Sequence, residues 1–161
     1  MGAPSVVLIA ATTISASVAA ASFVFCVVLN VKNFKVALVA SVGACFGWFV
    51  YLVSASFTGI VGQNLIAAIA VALFAEFISR VMKTPSTIFI IVGILPMVPG
   101  GGIYYTMEYC IQGNHEMFMS KGLQTLAVAG AIAVGVSIAS AIYRFYMHTK
   151  RQINLKFNKR K

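Results

Sequence analysis

No charged side chain precedes Lys32, and none occurs between Val36 and Ala75. A run of that length without charge constrains the fold more than any single motif. A helix needs about 20 mostly apolar residues to cross the hydrocarbon core of a bilayer. In lipid, backbone N–H and C=O groups must be satisfied within the segment, so an open chain crosses only as helices. Residues 5–29 meet the length, interrupted only by small hydroxyl side chains, and 36–54 form a second stretch. A third runs over 65–79 and is extended back to Ile60, giving 60–79. Residues 122–147 read as a clean final span, and 87–112 as an irregular one. The expected fold is therefore all-α, a polytopic membrane helix bundle of about five spans over 1–147, with a basic tail over 148–161.

Composition excludes the soluble alternative. The chain is 60% hydrophobic and 9% charged, with no Asp and three acids, Glu76, Glu108 and Glu116. Globular domains carry roughly 25% charge, and so few charges cannot cover a water-facing surface of this size. The net charge of +9 would suggest nucleic acid as partner in a soluble chain, but its placement indicates lipid and no nucleic acid. Lys32 and Lys35 lie in the first link, Arg80 and Lys83 in the third. Arg144, Lys150, Arg151, Lys156, Lys159, Arg160 and Lys161 end the chain, and only Lys121, beside Glu116, falls on the other side. The positive-inside rule then puts the N-terminus outside and the C-terminus in the cytoplasm, with an odd number of crossings. The tail fits an anchor on anionic lipid.

No cation precedes the first apolar run, so a secretory signal is not expected. The opening Met-Gly-Ala-Pro-Ser-Val lacks the Ser or Thr that myristoylation needs at the sixth position. Cys26, Cys45 and Cys110 lie in separate apolar segments without C-x-x-C spacing, which indicates neither a disulfide framework nor a zinc site. Gly43 and Gly47 form a G-x-x-x-G, and Ala127, Ala131, Gly135 and Ala139 recur every four residues. Such stripes let helix backbones approach closely in lipid, and their number suggests assembly beyond one chain, including homo-oligomerisation.

As one helix, 87–112 would be about 39 Å long against a core of roughly 30 Å. Pro96 and Pro99 each remove a backbone donor, and Gly100, Gly101 and Gly102 follow directly. The expected form is a half-helix over 87–95, irregular backbone over 96–102 and a second half-helix over 103–112. Irregular backbone at membrane depth survives where protein or a wet cavity satisfies it, and broken helices of this kind hold substrate in many secondary transporters. Free N–H groups near Gly101, Gly102 and Ile103 would aim the positive end of a helix dipole into the break, ready for a carboxylate. Gly101, Tyr105, Glu108 and Gln112 share one helical face, a stripe that would line a wet cavity. The competing reading is a packed kink, with Tyr104 and Tyr105 in an interfacial aromatic belt.

Two carboxylates, Glu108 two turns beyond the break and Glu76 in the third span, are candidate proton carriers. Glu76 has the alternative of an i, i+4 pair with Arg80 at the cytoplasmic end of the third span. His115 and His148 are far apart in sequence and make a poor metal site. No nucleophile with a base is visible, so neither an enzyme nor a cofactor is expected.

Arg80-Val-Met-Lys-Thr-Pro85 and Gly93-Ile-Leu-Pro96-Met-Val-Pro99-Gly-Gly-Gly102-Ile-Tyr-Tyr105 resemble the threonine/serine exporter family. The likeness is to the small subunit of its split, two-component form and covers roughly 36–144. It implies a proton-driven exporter of small polar amino acids or related carboxylates in the inner membrane. The substrate would bind around Pro96, Pro99, Gly100, Gly101, Gly102, Tyr104 and Tyr105. Fused members have ten helices, and their second half resembles this chain. The missing half implies a larger membrane subunit of the same family as partner. The alternatives are a non-transporting assembly subunit and a small ion channel.

Overall fold

The computed structural model describes the backbone of residues 3–31 and 33–158, with the side chains of 13, 14, 17–31 and 33–150. Among the described residues six α-helices follow in order: α1 Ala3–Val28, α2 Phe34–Ser54, α3 Ile60–Met82, α4 Ser86–Ile94, α5 Gly100–Ile111 and α6 His115–Asn158. A single 3-10 turn, Leu95–Met97, separates α4 from α5. There is no strand among the described residues. The chain is a polytopic helical membrane protein. By length and apolarity α2, α3 and the His115–Lys150 part of α6 can each cross a bilayer, and α4 with α5 makes a fourth if the bent pair is one span. The remaining span expected from sequence corresponds to α1, whose first half lies largely outside the described side chains. Lys32 and the side chains of Arg151, Lys156, Lys159, Arg160 and Lys161 also lie outside them.

Local signals account for the helix ends. Asn33 caps α2, its side chain accepting from the Lys35 N–H at 3.2 Å, as short amide side chains do at a helix start. Lys83 closes α3 in the left-handed conformation. Gly113 turns the chain between α5 and α6 at a φ of +70°, a value glycine adopts without a Cβ penalty. Asn114 then accepts from the Met117 N–H at 3.2 Å and opens α6. That last helix is longer than its apolar stretch: 44 residues, or about 66 Å. It begins seven residues before the expected span and carries the basic segment after Met147 onward as helix as far as Asn158. The Lys and Arg there do not interrupt it because both are good helix formers.

The centre of the bundle is α3. It packs most extensively on α6 and also on α2 and α4, while α1 lies on α2 and α5 on α6. Its inward face is nearly all small: Ala67, Ala68, Ala72 and Ala75 are fully buried around Val71. The glycine stripes meet that face. A Cβ on Gly43 would stand 2.6 Å from the Phe74 ring, and one on Gly93 2.5 Å from Val71 Cγ1. A Cβ on Gly47 would collide with the same Val71 side chain, so α2, α3 and α4 converge on one valine. On the other side a Cβ on Gly135 would lie 2.9 Å from the Leu65 carbonyl oxygen and 3.0 Å from Ala68 Cβ. Ala131 and Ala139 are buried beside it, while Ala127 is exposed. These small residues therefore serve packing within the chain, and the assembly expected from them needs other support.

Candidate functional site

The break between α4 and α5 is narrower than the sequence suggests. Pro96 sits in the 3-10 turn, Val98 and Pro99 alone are non-helical, and Gly100 to Gly102 already form the first turn of α5. The two half-helices meet at 50°. Pro99 is the N-cap and offers no side-chain acceptor. The Gly100 N–H donates to the Val98 carbonyl at 2.7 Å and the Ile103 N–H to the Pro99 carbonyl at 3.1 Å. The N–H groups of Gly101 and Gly102 between them have no acceptor among the described residues. A helix start leaves such donors unsatisfied unless a side chain, water or ligand takes them. Nothing lies within 4 Å of where a Cβ on Gly101 would stand, so that backbone is open. Gly102 is the opposite case. Its Cβ would meet Thr125 Oγ1 at 2.5 Å, where α5 rests on α6.

These donors border an open cavity of about 400 Å³ lined by four parts of the chain. Pro96, Pro99, Gly101, Gly102 and Tyr105 line it from the broken helix. Trp48 and Tyr51 contribute from α2, Asn64 from α3, and Lys121, Gln124 and Thr125 from α6. The Trp48 and Tyr51 rings stack at 5.0 Å and form one aromatic wall. Asn64 is only 3% exposed; its amide N–H donates to the Ile60 carbonyl at 2.8 Å, which leaves its carbonyl oxygen free to accept. Gly100 and Tyr104 are not among the lining residues. Tyr104 is 66% exposed and meets Tyr105 edge-on at 5.5 Å.

Chemically, the lining carries two unlike sets of groups. Two unsatisfied N–H groups at the positive end of a helix dipole, with an ammonium from Lys121, suit an anion. An amide oxygen and two aromatic faces suit a small cation. A zwitterion carries both charges.

The two candidate acids differ in burial. Glu108 is half-buried, and its carboxylate accepts from the Gln112 amide at 3.2 Å on an exposed face of α5. Glu76 is 8% exposed, on the small face of α3. Its partner is the Ser86 hydroxyl at 3.5 Å, from the first turn of α4. The expected pair with Arg80 does not form, because Arg80 extends the other way and lies 5.3 Å from the centre of the Tyr143 ring on α6. A cation over an aromatic face is a stable resting place at a membrane boundary. Among the described residues no three His, Cys, Asp or Glu side chains come together, and Cys26, Cys45 and Cys110 are free thiols.

Comparison with known proteins gives a consistent family. Residues 12–142 match the sequence profile described as Threonine/Serine exporter, ThrE. A Corynebacterium glutamicum protein named Threonine/serine exporter is 31% identical over 107 residues, 66% of this chain and 22% of that protein. The matched part thus spans about a fifth of that relative's length. No solved structure matches the chain.

Proposed function

The chain belongs to the threonine/serine exporter family, and from that premise we propose that it is one subunit of a secondary exporter of small polar amino acids. Threonine and serine are the substrates that the relative's name suggests. The observation that carries the proposal is the cavity at the α4–α5 break, where the free N–H groups of Gly101 and Gly102 face a space that also holds Lys121 and Asn64. The amino acid's carboxylate takes the two N–H groups and Lys121. Its ammonium takes the Asn64 carbonyl oxygen and the faces of Trp48 and Tyr51. Transport, with no bond made or broken, needs nothing more from these side chains.

Topology and coupling complete the reading. With the N-terminus outside and the C-terminus in the cytoplasm of the inner membrane, the cavity opens in the outer half of the bilayer. Lys121 is then the one cation on the outer side of the charge count because it serves the site and not the orientation. Protons drive export through an enclosed carboxyl, and burial favours Glu76 over Glu108 for that role. A larger subunit of the same family covers α5. This helix has no buried residue, yet it presents Tyr105, Glu108 and Gln112 at membrane depth, where polar groups need protein or water beside them.

The test is flux from proteoliposomes holding this chain, the larger subunit, or both, with threonine inside and an imposed proton gradient. Gradient-dependent efflux only from the pair is expected. Equal efflux from this chain alone would remove the two-subunit reading, and conductance without solute movement would replace the exporter with a channel.

A further inference from the structure

The groups assigned so far at the α4–α5 break take the carboxylate and the ammonium, which every amino acid carries. Threonine and serine are set apart by a hydroxyl on the β-carbon, next to the carbon that bears both charged groups. A side chain that reads this hydroxyl therefore has to lie beside the donors that hold the carboxylate. The neutral polar groups left in the lining are the Gln124 amide, the Thr125 hydroxyl and the phenols of Tyr51 and Tyr105. The Trp48 indole N–H is buried and out of reach of a solute.

Three of these groups are already engaged. The Thr125 hydroxyl donates to the Lys121 carbonyl at 2.7 Å, and its oxygen sits where Gly102 packs on α6. The Tyr51 ring stacks on Trp48, and the Tyr105 ring meets Tyr104 edge-on. Gln124 differs. It is exposed, and its amide has no hydrogen-bond partner among the described residues. The other amides among the described side chains within helices, Gln63, Asn64 and Gln112, each donate inside the chain at 2.8–3.2 Å. Gln124 belongs to the part of α6 that can cross a bilayer, where a polar side chain faces protein or a water-filled cavity.

Position agrees with chemistry. Gln124 follows Lys121 by three residues on α6, so the two are neighbours on one face, with Cβ atoms about 5–6 Å apart. The next residue, Thr125, is the one that Gly102 packs against. Gln124 is thus flanked by both components that hold the carboxylate, the ammonium of Lys121 and the free N–H groups at the start of α5. An amide both donates and accepts, as a hydroxyl does, and carries no charge. We propose that Gln124 determines specificity at the solute site, its amide binding the side-chain hydroxyl of a hydroxy amino acid. The inference rests on the exporter reading and deepens it.

Threonine and 2-aminobutyrate differ only by that hydroxyl, so the ratio of their fluxes is the direct readout. The two-subunit complex in proteoliposomes should prefer threonine. Gln124→Met keeps the length of the side chain and removes the amide. It should lower the threonine to 2-aminobutyrate ratio about three- to tenfold, the effect of one lost neutral hydrogen bond. Gln124→Asn should recover part of the preference. An unchanged ratio in Gln124→Met, or a parallel fall of the two fluxes, overturns the assignment and leaves the exporter standing. A ratio that falls with Tyr105→Phe and not with Gln124→Met overturns it as well, in favour of the phenol. A wild-type complex that moves neither solute overturns the exporter reading instead.

Discussion

The trunk of α2, α3, α4 and α6 and the arm formed by α5 are built on different principles. In the trunk, glycine and alanine are there for contact: Gly43, Gly47 and Gly135 have no room for even a methyl group. In the arm, Gly100 and Gly101 have nothing within 4 Å of a would-be Cβ, and no residue of α5 is buried. Glycine thus closes contacts at Gly43, Gly47, Gly93 and Gly135 and opens the backbone at Gly100 and Gly101, while Gly102 meets Thr125 where α5 rests on α6. Close packing in lipid comes from small side chains that let backbones approach. Open backbone at that depth persists only beside a cavity or a partner. The proposed solute site uses both, taking open backbone from the arm and side chains from the trunk.

Substitution of glycines by valine should break the molecule in two different ways. Gly135→Val drives a branched side chain against the Leu65 carbonyl, and backbone cannot move aside as a side-chain tip can. Overpacking of this kind costs typically 1–3 kcal/mol, occasionally more. Thermal unfolding in detergent should show a drop of several degrees, or no folded protein. Next in size is Gly101→Val, which should leave unfolding unchanged but crowd the two free N–H groups. Hydrogen bonds to a charged group contribute about 1.5–3 kcal/mol, so threonine affinity should fall roughly ten- to a hundredfold.

Lys121→Ala sharpens the comparison from the trunk side of the cavity. Half-buried at the rim, its charge should contribute about 1 kcal/mol, seen as a roughly fivefold rise in KM with kcat nearly kept. Lys121→Arg should recover part of that loss. The acids come next. Glu76→Gln should flatten the pH profile of efflux, because an amide cannot exchange a proton, and Glu108→Gln should keep the profile of the parent. The opposite pattern would move coupling to the arm. The smallest expected effect is Gly100→Ala, within about 0.5 kcal/mol in unfolding and unchanged in flux, since its side chain meets nothing.

Much of this was legible in the sequence, and the misses have physical causes. Pro96, Pro99 and the three glycines located the break to within a few residues, because those residue types act on the backbone directly. The glycines were expected in the irregular segment, but a first helical turn needs no internal donors and accommodates them. Lys121, Asn64, Trp48 and Tyr51 were missed as site residues because they reach the cavity from three other helices, and no spacing along the chain encodes that meeting. A signal did exist for two of them. Lys121 is the sole exception to the charge asymmetry. Asn64 stands at helical spacing with Ala68, Val71, Ala75 and Ser79 on the small face of α3, and Glu76 falls on that face as well. Small residues at three- and four-residue spacing mark the covered side of a membrane helix, and reading them first would have placed Glu76 on that side.

The central claim is that solute binds at the opened backbone of the arm and not merely near a hinge. Threonine binding to the purified two-subunit complex, wild type against Gly101→Val, tests it most directly when melting temperature is recorded on the same samples. The account predicts affinity weakened at least tenfold at an unchanged melting temperature. Wild-type affinity at an unchanged melting temperature would contradict it, because the side chain would then have covered donors that the solute does not use.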